Sequence, residues 1–347
     1  MLGKHTPVPF QRVHKAAVFC LFLAICLGLG YPILNRYDPR ETPGLGDVRS
    51  YAAMASGNGG TVRNHMRYRV LVPWIAGRIR AVADGNVGSW NSSMFGLLLA
   101  DSLFVAGTGL LIVLLGGMQL GGDVVGLVAA LLYFVNFANA NLRLTGLVDA
   151  GEGFFLLMLL WSVETHRFWM LLPTAVLGAL TKESFVPFSI VFLVAWVLMR
   201  REWARRGTTI WIFSSGALSV ATLIELHLAL KASGNLIDFG RSLHQNQHYF
   251  GHLISSLLDR NLWYIFAWLL PMGVPYLRNF PKSWVVPTGA TAVTAFILDG
   301  YYGGAPGTLG RALFSTSGPL LRLSMSYFIC GNECQSSRNF PERDVVL

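Results

Sequence analysis

The chain has 347 residues, of which 53% are hydrophobic and only 13% are charged. Soluble globular domains carry about 25% charged residues, so this composition leaves too little charge to cover a water-facing surface. The mean hydropathy of +0.49 argues in the same direction. The net charge of +9 is not arranged as a basic run interleaved with aromatic residues, so we expect no nucleic-acid partner. Lys and Arg are instead expected to flank membrane spans and to contact membrane lipids.

Apolar residues occur in about ten continuous segments, which predict an all-α, polytopic transmembrane helical bundle. The runs lack the period-two alternation of barrel strands, and helices satisfy their own backbone hydrogen bonds in lipid. We expect one transmembrane domain over residues 1–330 and a polar tail over 331–347. The predicted segments are 16–34, 92–117, 122–140, 146–163, 168–181, 185–199, 209–230, 262–277, 284–300 and 312–330.

The distribution of positive charge predicts a cytoplasmic N-terminus and a multi-pass protein of the cell membrane, with a bacterial cytoplasmic membrane favoured. The predicted inside segments, above all Arg200–Arg206, carry more Lys and Arg than the outer loops that follow the first one. The first outer loop, residues 36–90, is the exception. It holds Arg36, Arg40, Arg49, Arg63, Arg67, Arg69, Arg78 and Arg80, and these arginines need a reason other than topology.

Two interfacial helices are predicted in that loop. One begins at Asp47, a plausible N-cap, and the other lies within 63–80, where an apolar stretch with Trp74 is bordered by arginines. A structural role would make Asp47 a cap and the second helix a membrane-surface anchor. A functional role would make Asp47 a catalytic base and Arg67 or Arg69 the ligand of a lipid-linked phosphate, because Arg binds phosphate bidentately.

Asp149 and Glu152 open the fourth predicted segment three residues apart and therefore share a helix face. Acids at membrane depth are costly and usually face a cavity or a partner. A helix-terminal surface pair, an acceptor site and a divalent metal site all fit this spacing. No cofactor is certain, but Mg²⁺ or Mn²⁺ stays an alternative if further oxygen ligands converge on both carboxylates.

Lys182 and Glu183 lie between two short apolar segments, in the tetrapeptide Thr181-Lys182-Glu183-Ser184. This is either a solvated turn or a site at which Lys182 grips a carrier phosphate as a point charge. Arg311, at the border of the last outer loop, is a second candidate for phosphate.

His244, His248 and His252 recur every four residues, so one helix would stack them on one face. Zinc is a weak interpretation because no acidic residue stands between His244 and His248, as it does in helical zinc motifs. A solvated loop and a segment that contacts acceptor sugar through His244 and His248 stay open.

The loop motifs resemble a known family. Gly46-Asp47-(x)3-Tyr51-(x)2-Met54, then Met66-Arg67-Tyr68-Arg69-Val70-Leu71-Val72-Pro73-Trp74, many short spans and the late Thr181–Ser184 stretch look like bacterial members of the GT-C class of polytopic glycosyltransferases. The resemblance implies a sugar donor on a polyprenyl-phosphate carrier and a catalytic acid in the first outer loop, a role that falls on Asp47. Many members carry paired acids there, whereas Val48 follows Asp47.

The resemblance implies an integral membrane glycosyltransferase that transfers sugar, with inversion, to a glycan, lipid or protein acceptor at the outer face. A carboxylate would deprotonate the acceptor hydroxyl and fixed cations would stabilise the departing phosphate. A secondary transporter or flippase of a lipid-linked or anionic solute is the alternative, although no internal repeat is visible. A non-catalytic membrane scaffold is the third possibility.

Overall fold

A computed structural model describes residues 9–35, 46–62, 66–120, 123–200, 206–230, 249–302 and 307–330. Every regular element in these ranges is helical, which confirms the all-α prediction. The helices are α1 (Pro9–Gly30), α2 (Pro32–Asn35), α3 (Gly46–Ala55), α4 (Leu71–Ala83), α5 (Ser92–Leu120), α6 (Asp123–Phe134), α7 (Asp149–Glu164), α8 (Leu171–Thr181), α9 (Phe185–Arg200), α10 (Arg206–Ala229), α11 (Tyr249–Leu257), α12 (Arg260–Phe266), α13 (Leu269–Gly273), α14 (Lys282–Tyr302), α15 (Thr308–Thr316) and α16 (Gly318–Ile329).

Two of the described helices are long and apolar enough to cross a membrane, rather than about ten. They are α5, of 29 residues, and residues Gly207–Ala229 of α10. The burial of the two differs: 67% of the most apolar window of α5 is buried inside the protein, but only 17% of that of α10. An apolar helix that the protein leaves uncovered is typical of a helix that faces lipid.

The remaining predicted segments are helical but shorter or interrupted. The predicted segment 262–277 is divided among α12, α13 and a 3-10 turn, Val274–Asn279. Pro271 and Pro275 lie within this stretch, and proline removes a backbone donor and clashes with the preceding turn. Helices α6, α8 and α9 have 12, 11 and 16 residues, fewer than the roughly 20 that a span needs.

Helix α5 is the central element, and α1, α4, α6 and α7 all pack against it. It begins after Asn91, whose side-chain oxygen accepts hydrogen bonds from the backbone N–H groups of Ser93 at 3.0 Å and Met94 at 3.2 Å. Small residues allow the helices to approach closely. A Cβ atom at Gly96 would lie 2.4 Å from the carbonyl oxygen of Ala76 on α4.

The first loop contains the two helices that the sequence predicts, α3 and α4, and α3 packs on α4. Helix α3 begins at Gly46, so Asp47 lies in its first turn, where a carboxylate favours the helix dipole. Helix α4 buries Val72 and Ala76 and exposes Trp74, Arg78 and Val82 as a stripe at four-residue spacing. The Arg78 guanidinium lies 5.3 Å from the Trp74 ring centroid. This stripe suits a membrane interface.

The ends of several helices meet at one end of the bundle. The start of α7 lies against the end of α8, since a Cβ atom at Gly151 would lie 2.5 Å from a methyl carbon of Thr181. Helix α15 packs on α7, and α10 packs on α8. The residues at these ends, together with the segment just before α4, form the site described below.

We predict that α10 crosses the membrane. Leu218 lies near its middle and is 36% exposed, so Leu218→Arg would place a charge in lipid at a cost of about 3 kcal/mol. For Leu218→Arg, the fraction of the protein that stays in the membrane after alkaline carbonate extraction should fall. Leu218→Ala should behave like wild type. Equal membrane integration of the Arg and Ala variants would contradict a lipid-facing α10.

Candidate functional site

The first part of the site is built around Lys182, which follows α8 with extended backbone angles of φ −162° and ψ 140°. Its ammonium donates to Asp149 Oδ1 at 2.7 Å and to Glu152 Oε2 at 3.2 Å. Ser184 Oγ donates to the other oxygen of Glu152. Arg311 Nη1 donates to Asp149 Oδ2 at 3.2 Å. Asp149 therefore joins α7, the α8–α9 turn and α15 through two cations.

The second part is the bidentate pair between Arg69 and Glu183. Arg69 Nε donates to Glu183 Oε2 at 3.0 Å and Nη2 donates to Oε1 at 2.5 Å. The third contact of this guanidinium is Nη1 to the Tyr51 hydroxyl at 2.7 Å. The segment before α4 is thereby attached both to α3 and to the α8–α9 turn.

The two parts adjoin because Lys182 and Glu183 are consecutive, and we call their six charged members the charge network. The members are Arg69, Asp149, Glu152, Lys182, Glu183 and Arg311. Three cations face three carboxylates, so the network is neutral overall. The side chains of Asp149 and Glu152 are 4% and 0% exposed, whereas that of Glu183 is 38% exposed. The network is therefore shielded from solvent at the two acids of α7 and accessible to solvent at Glu183.

At the α8–α9 turn, burial and ion pairing shift the pKa values of the charged side chains in opposite directions. Burial alone would raise the pKa of Glu183, but the Arg69 charge and its hydrogen bonds together hold the pKa of that carboxyl below its ordinary value. Burial alone would lower the pKa of the Lys182 ammonium, but Asp149 and Glu152 outweigh it and the pKa is raised. Burial raises the pKa of Tyr51 to about 12 against the opposing charge of Arg69. All three groups thus keep their neutral-pH protonation states.

Of the residues that the sequence predicts as functional, Arg69, Asp149, Glu152, Lys182 and Arg311 converge in the charge network. Arg67 does not join them. Its Nε and Nη2 atoms donate to the carbonyl oxygens of Val62 at 2.9 Å and Gly60 at 2.6 Å, so it holds the loop backbone. His244 and His248 lie outside the described residues.

Asp47 lies beside the charge network rather than in it. It is half-buried, one helical turn before Tyr51, and close enough to interact electrostatically with that phenol. Among the described residues, Asp47 makes no ion pair, whereas Asp149, Glu152 and Glu183 each have a cationic partner. It is therefore the carboxylate of this region whose lone pairs are least engaged.

Sequence reasoning missed the partners of the predicted residues. The sequence points to Glu183 beside Lys182 but does not predict its pairing with Arg69. Ser184, which donates to Glu152, and Tyr51, which accepts from Arg69, also stand within the motifs already singled out. Tyr68 was also missed. Its hydroxyl lies 2.7 Å from His227 Nδ1 and the two rings stack with centroids 5.4 Å apart, which attaches the end of α10 beside the network.

The described residues contain no group of three or more His, Cys, Asp or Glu side chains placed to hold a metal ion. Asp149 and Glu152, the pair proposed for Mg²⁺ or Mn²⁺, share the Lys182 ammonium as a common partner. In comparisons with known proteins, no family model, no curated protein and no solved structure matches the chain.

We predict that Asp149→Asn destabilises the protein by about 3–5 kcal/mol, because breaking a buried pair leaves an uncompensated charge on Lys182 and Arg311. Thermal unfolding in detergent is the measurement. Asp84→Asn is the matched control. Asp84 is 63% exposed and lies 3.9 Å from Arg80, and an exposed ion pair of this kind contributes roughly 0–1 kcal/mol to stability. Equal losses for both variants would show that the network does not hold the fold.

The charge network also predicts a dependence of stability on pH. Because the folded pKa of Glu183 is lowered from an unfolded value of about 4.3, its contribution is present above about pH 5 and is lost as the pH falls through the folded pKa. The difference in unfolding temperature between wild type and Glu183→Gln should thus narrow from pH 7 to pH 3. Asp84→Asn, which alters an acid of the first loop that is 63% exposed, is the matched control; a constant difference for Glu183→Gln would contradict the pairing.

Proposed function

We propose that the protein is a multi-pass membrane glycosyltransferase that takes sugar from a polyprenyl-phosphate carrier. The observation that carries the proposal is the convergence of Arg69, Lys182 and Arg311 with Asp149 and Glu152. These residues come from four separate segments of the chain and meet at the ends of apolar helices. A lipid-linked phosphate has its charge at the membrane surface, where fixed cations at helix ends would meet it.

Arg311 and Lys182 are the proposed ligands of the carrier phosphate. Arg311 gives one of its five N–H groups to Asp149 in the described contacts, and its side chain is 17% exposed. Lys182 is 16% exposed beside it. Both cations are held in place by Asp149, so they are positioned before the substrate arrives. Stabilisation of the leaving phosphate would then need no reorganisation.

Asp47 is the proposed general base. It would accept the proton of the acceptor hydroxyl while that oxygen forms a bond to the anomeric carbon. The bond from the anomeric carbon to the phosphate oxygen breaks at the same time, and the polyprenyl phosphate leaves with its electron pair. Direct displacement of this kind inverts the anomeric centre. The absence of an ion pair on Asp47 within the described residues supports this role.

The proposed topology places the charge network at the outer face, with the N-terminus in the cytoplasm and the shorter apolar helices tilted or set in locally thin membrane. Exposed aromatic residues near the network support a membrane boundary at this end. Trp74 is 56% exposed at the start of α4, and Trp263 and Tyr264 are 49% and 57% exposed on α12. Trp and Tyr are enriched at membrane–water interfaces.

The test is transfer of radiolabelled sugar from a panel of polyprenyl-phosphate donors by purified protein. We expect Asp47→Asn to reduce turnover by at least 10²-fold, as loss of a general base does, with the unfolding temperature unchanged. Asp84→Asn, which alters an exposed acid of the same loop, should keep wild-type turnover.

Two results would overturn the proposal. Full activity of Asp47→Asn would remove Asp47 as the base. No transfer from any donor by folded protein to any membrane acceptor would favour transport or a scaffold role instead.

A further inference from the structure

A second group of charges lies deeper in the bundle and contains no carboxylate. Arg143 and Arg322 are 2% and 0% exposed and rank among the largest fully buried side chains of the described residues. Arg143 ends a π-helical turn, Asn139–Arg143, and Arg322 lies in α16. Neither forms an ion pair with any described residue. Burying a charge without a counter-charge is strongly unfavourable.

The two guanidinium groups share one pair of aromatic rings. The Cζ atoms of Arg143 and Arg322 lie 4.4 Å and 4.2 Å from the Phe314 centroid. They lie 5.8 Å and 5.3 Å from the centroid of Tyr133. The rings stack with centroids 5.5 Å apart. Each cation–π contact stabilises the buried charge by about 1–2 kcal/mol. This is less than the free-energy cost of burying either cation.

The hydrogen-bond donors of this group outnumber the acceptors. Arg143 Nη1 and Nη2 donate to the Tyr133 and Ser315 hydroxyls, each at 2.7 Å. Those hydroxyls accept from Arg143, so each retains its own O–H proton as a donor. Nε, Nη1 and Nη2 of Arg322 have no hydrogen-bond partner in the part of the chain that the structure describes. Among the described residues, the group therefore has more hydrogen-bond donors than acceptors.

Neighbouring acceptors do not remove the imbalance of charge. Asn139 has a buried, unbonded amide oxygen, but it is neutral. Asp101 is buried and interacts electrostatically with Arg143, yet no ion pair joins them. Counting Asp101 as ionised still leaves one positive charge in excess for the two arginines.

The shape of the site is fixed around these groups. A Cβ atom at Gly153 would lie 2.6 Å from Arg143 Nη2, and one at Gly318 would lie 2.6 Å from Arg322 Nη1. Both guanidinium groups thus lie directly on helix backbone, where any larger residue would displace them. A small cavity of about 20 Å³, lined by Ser315, Thr316 and Thr288 among apolar side chains, shares Ser315 with the group but is not lined by either arginine or by Tyr133. A cavity of this size holds one water-sized particle.

We propose that Arg143 and Arg322, with the hydroxyls of Tyr133 and Ser315, form a buried binding site for chloride. A monovalent, monoatomic anion supplies negative charge to a group in which the two arginines keep at least one uncompensated positive charge. It also accepts hydrogen bonds from several directions, which suits the unpartnered N–H groups of Arg322 and the O–H groups of Tyr133 and Ser315. A phosphoryl group is larger and carries more negative charge than chloride, and both guanidinium groups already lie directly against helix backbone.

The experiment measures thermal unfolding of the purified full-length protein while chloride replaces gluconate at constant ionic strength. We expect the unfolding temperature to rise with chloride concentration, by about 4 °C at 100 times the dissociation constant, and bromide to act similarly. Arg322→Met should abolish the dependence. Arg167→Met is the matched control, because Arg167 is an exposed arginine that also lies over an aromatic ring, 5.0 Å from the Trp161 centroid.

Ser315→Ala provides a second, milder variant in case Arg322→Met does not fold. Loss of one donor to the anion should weaken the apparent chloride affinity about tenfold. The proposal is overturned if wild type shows no chloride dependence, or if Ser315→Ala or a folded Arg322→Met keeps it in full. It is also overturned if inorganic phosphate or dodecyl phosphate stabilises the protein and chloride does not. No donor or acceptor sugar is present, so the outcome is independent of the transferase assay.

Discussion

The arrangement of the chain depends on one buried carboxylate, that of Asp149. Its two oxygens bind Lys182 at 2.7 Å and Arg311 at 3.2 Å, and its side chain is 4% exposed. An ionised carboxylate at this depth is unfavourable by several kcal/mol unless its partners are close and well directed. The beginning of α7, the α8–α9 turn and the beginning of α15 must therefore meet at one point. The close contact of Gly151 with Thr181 is the packing that makes this meeting possible.

The same constraint explains why charge is concentrated at helix ends. With 13% charged residues in the sequence, most helices have no polar face that would orient them. Helix α10 leaves most of its apolar window uncovered. It packs on α8, and the contact between Tyr68 and His227 attaches its end beside the network. Ion pairs and aromatic contacts at these ends thus add directed contacts to the close packing that small residues such as Gly96 allow between helices.

The sequence was sufficient to predict the all-helical fold class and most of the charged residues of the site. It did not predict the lengths of the helices or which charged residues pair with each other. Long apolar blocks predict helices, yet apolarity alone does not show that prolines 271 and 275 divide one predicted span into short pieces. Asp149 and Glu152 could be placed on one face from their spacing. Their pairing with Lys182, 33 and 30 residues later, depends on tertiary packing that no local pattern contains. Arg67 and Arg69 look equivalent in sequence. Only the folded structure shows that Arg67 donates to backbone carbonyl oxygens, whereas Arg69 pairs with Glu183.

The two groups of arginines occupy successive layers of the same helices. Asp149 and Gly153 are one turn apart on α7, and Arg311 and Ser315 are one turn apart on α15. The first layer contains the charge network, in which every cation has a carboxylate. The second layer contains Arg143 and Arg322, in which no carboxylate forms an ion pair. Glycine at position 153 leaves the space that the Arg143 guanidinium fills, so the layer is built for a cation rather than left with one by chance.

An uncompensated positive layer changes what the first layer can hold. Fields extend further in a low-dielectric interior than in water, so Arg143 and Arg322 favour negative charge on the acids one turn above them. Asp149 itself is paired at closer range with Lys182 and Arg311. A bound anion in the second layer would weaken that field.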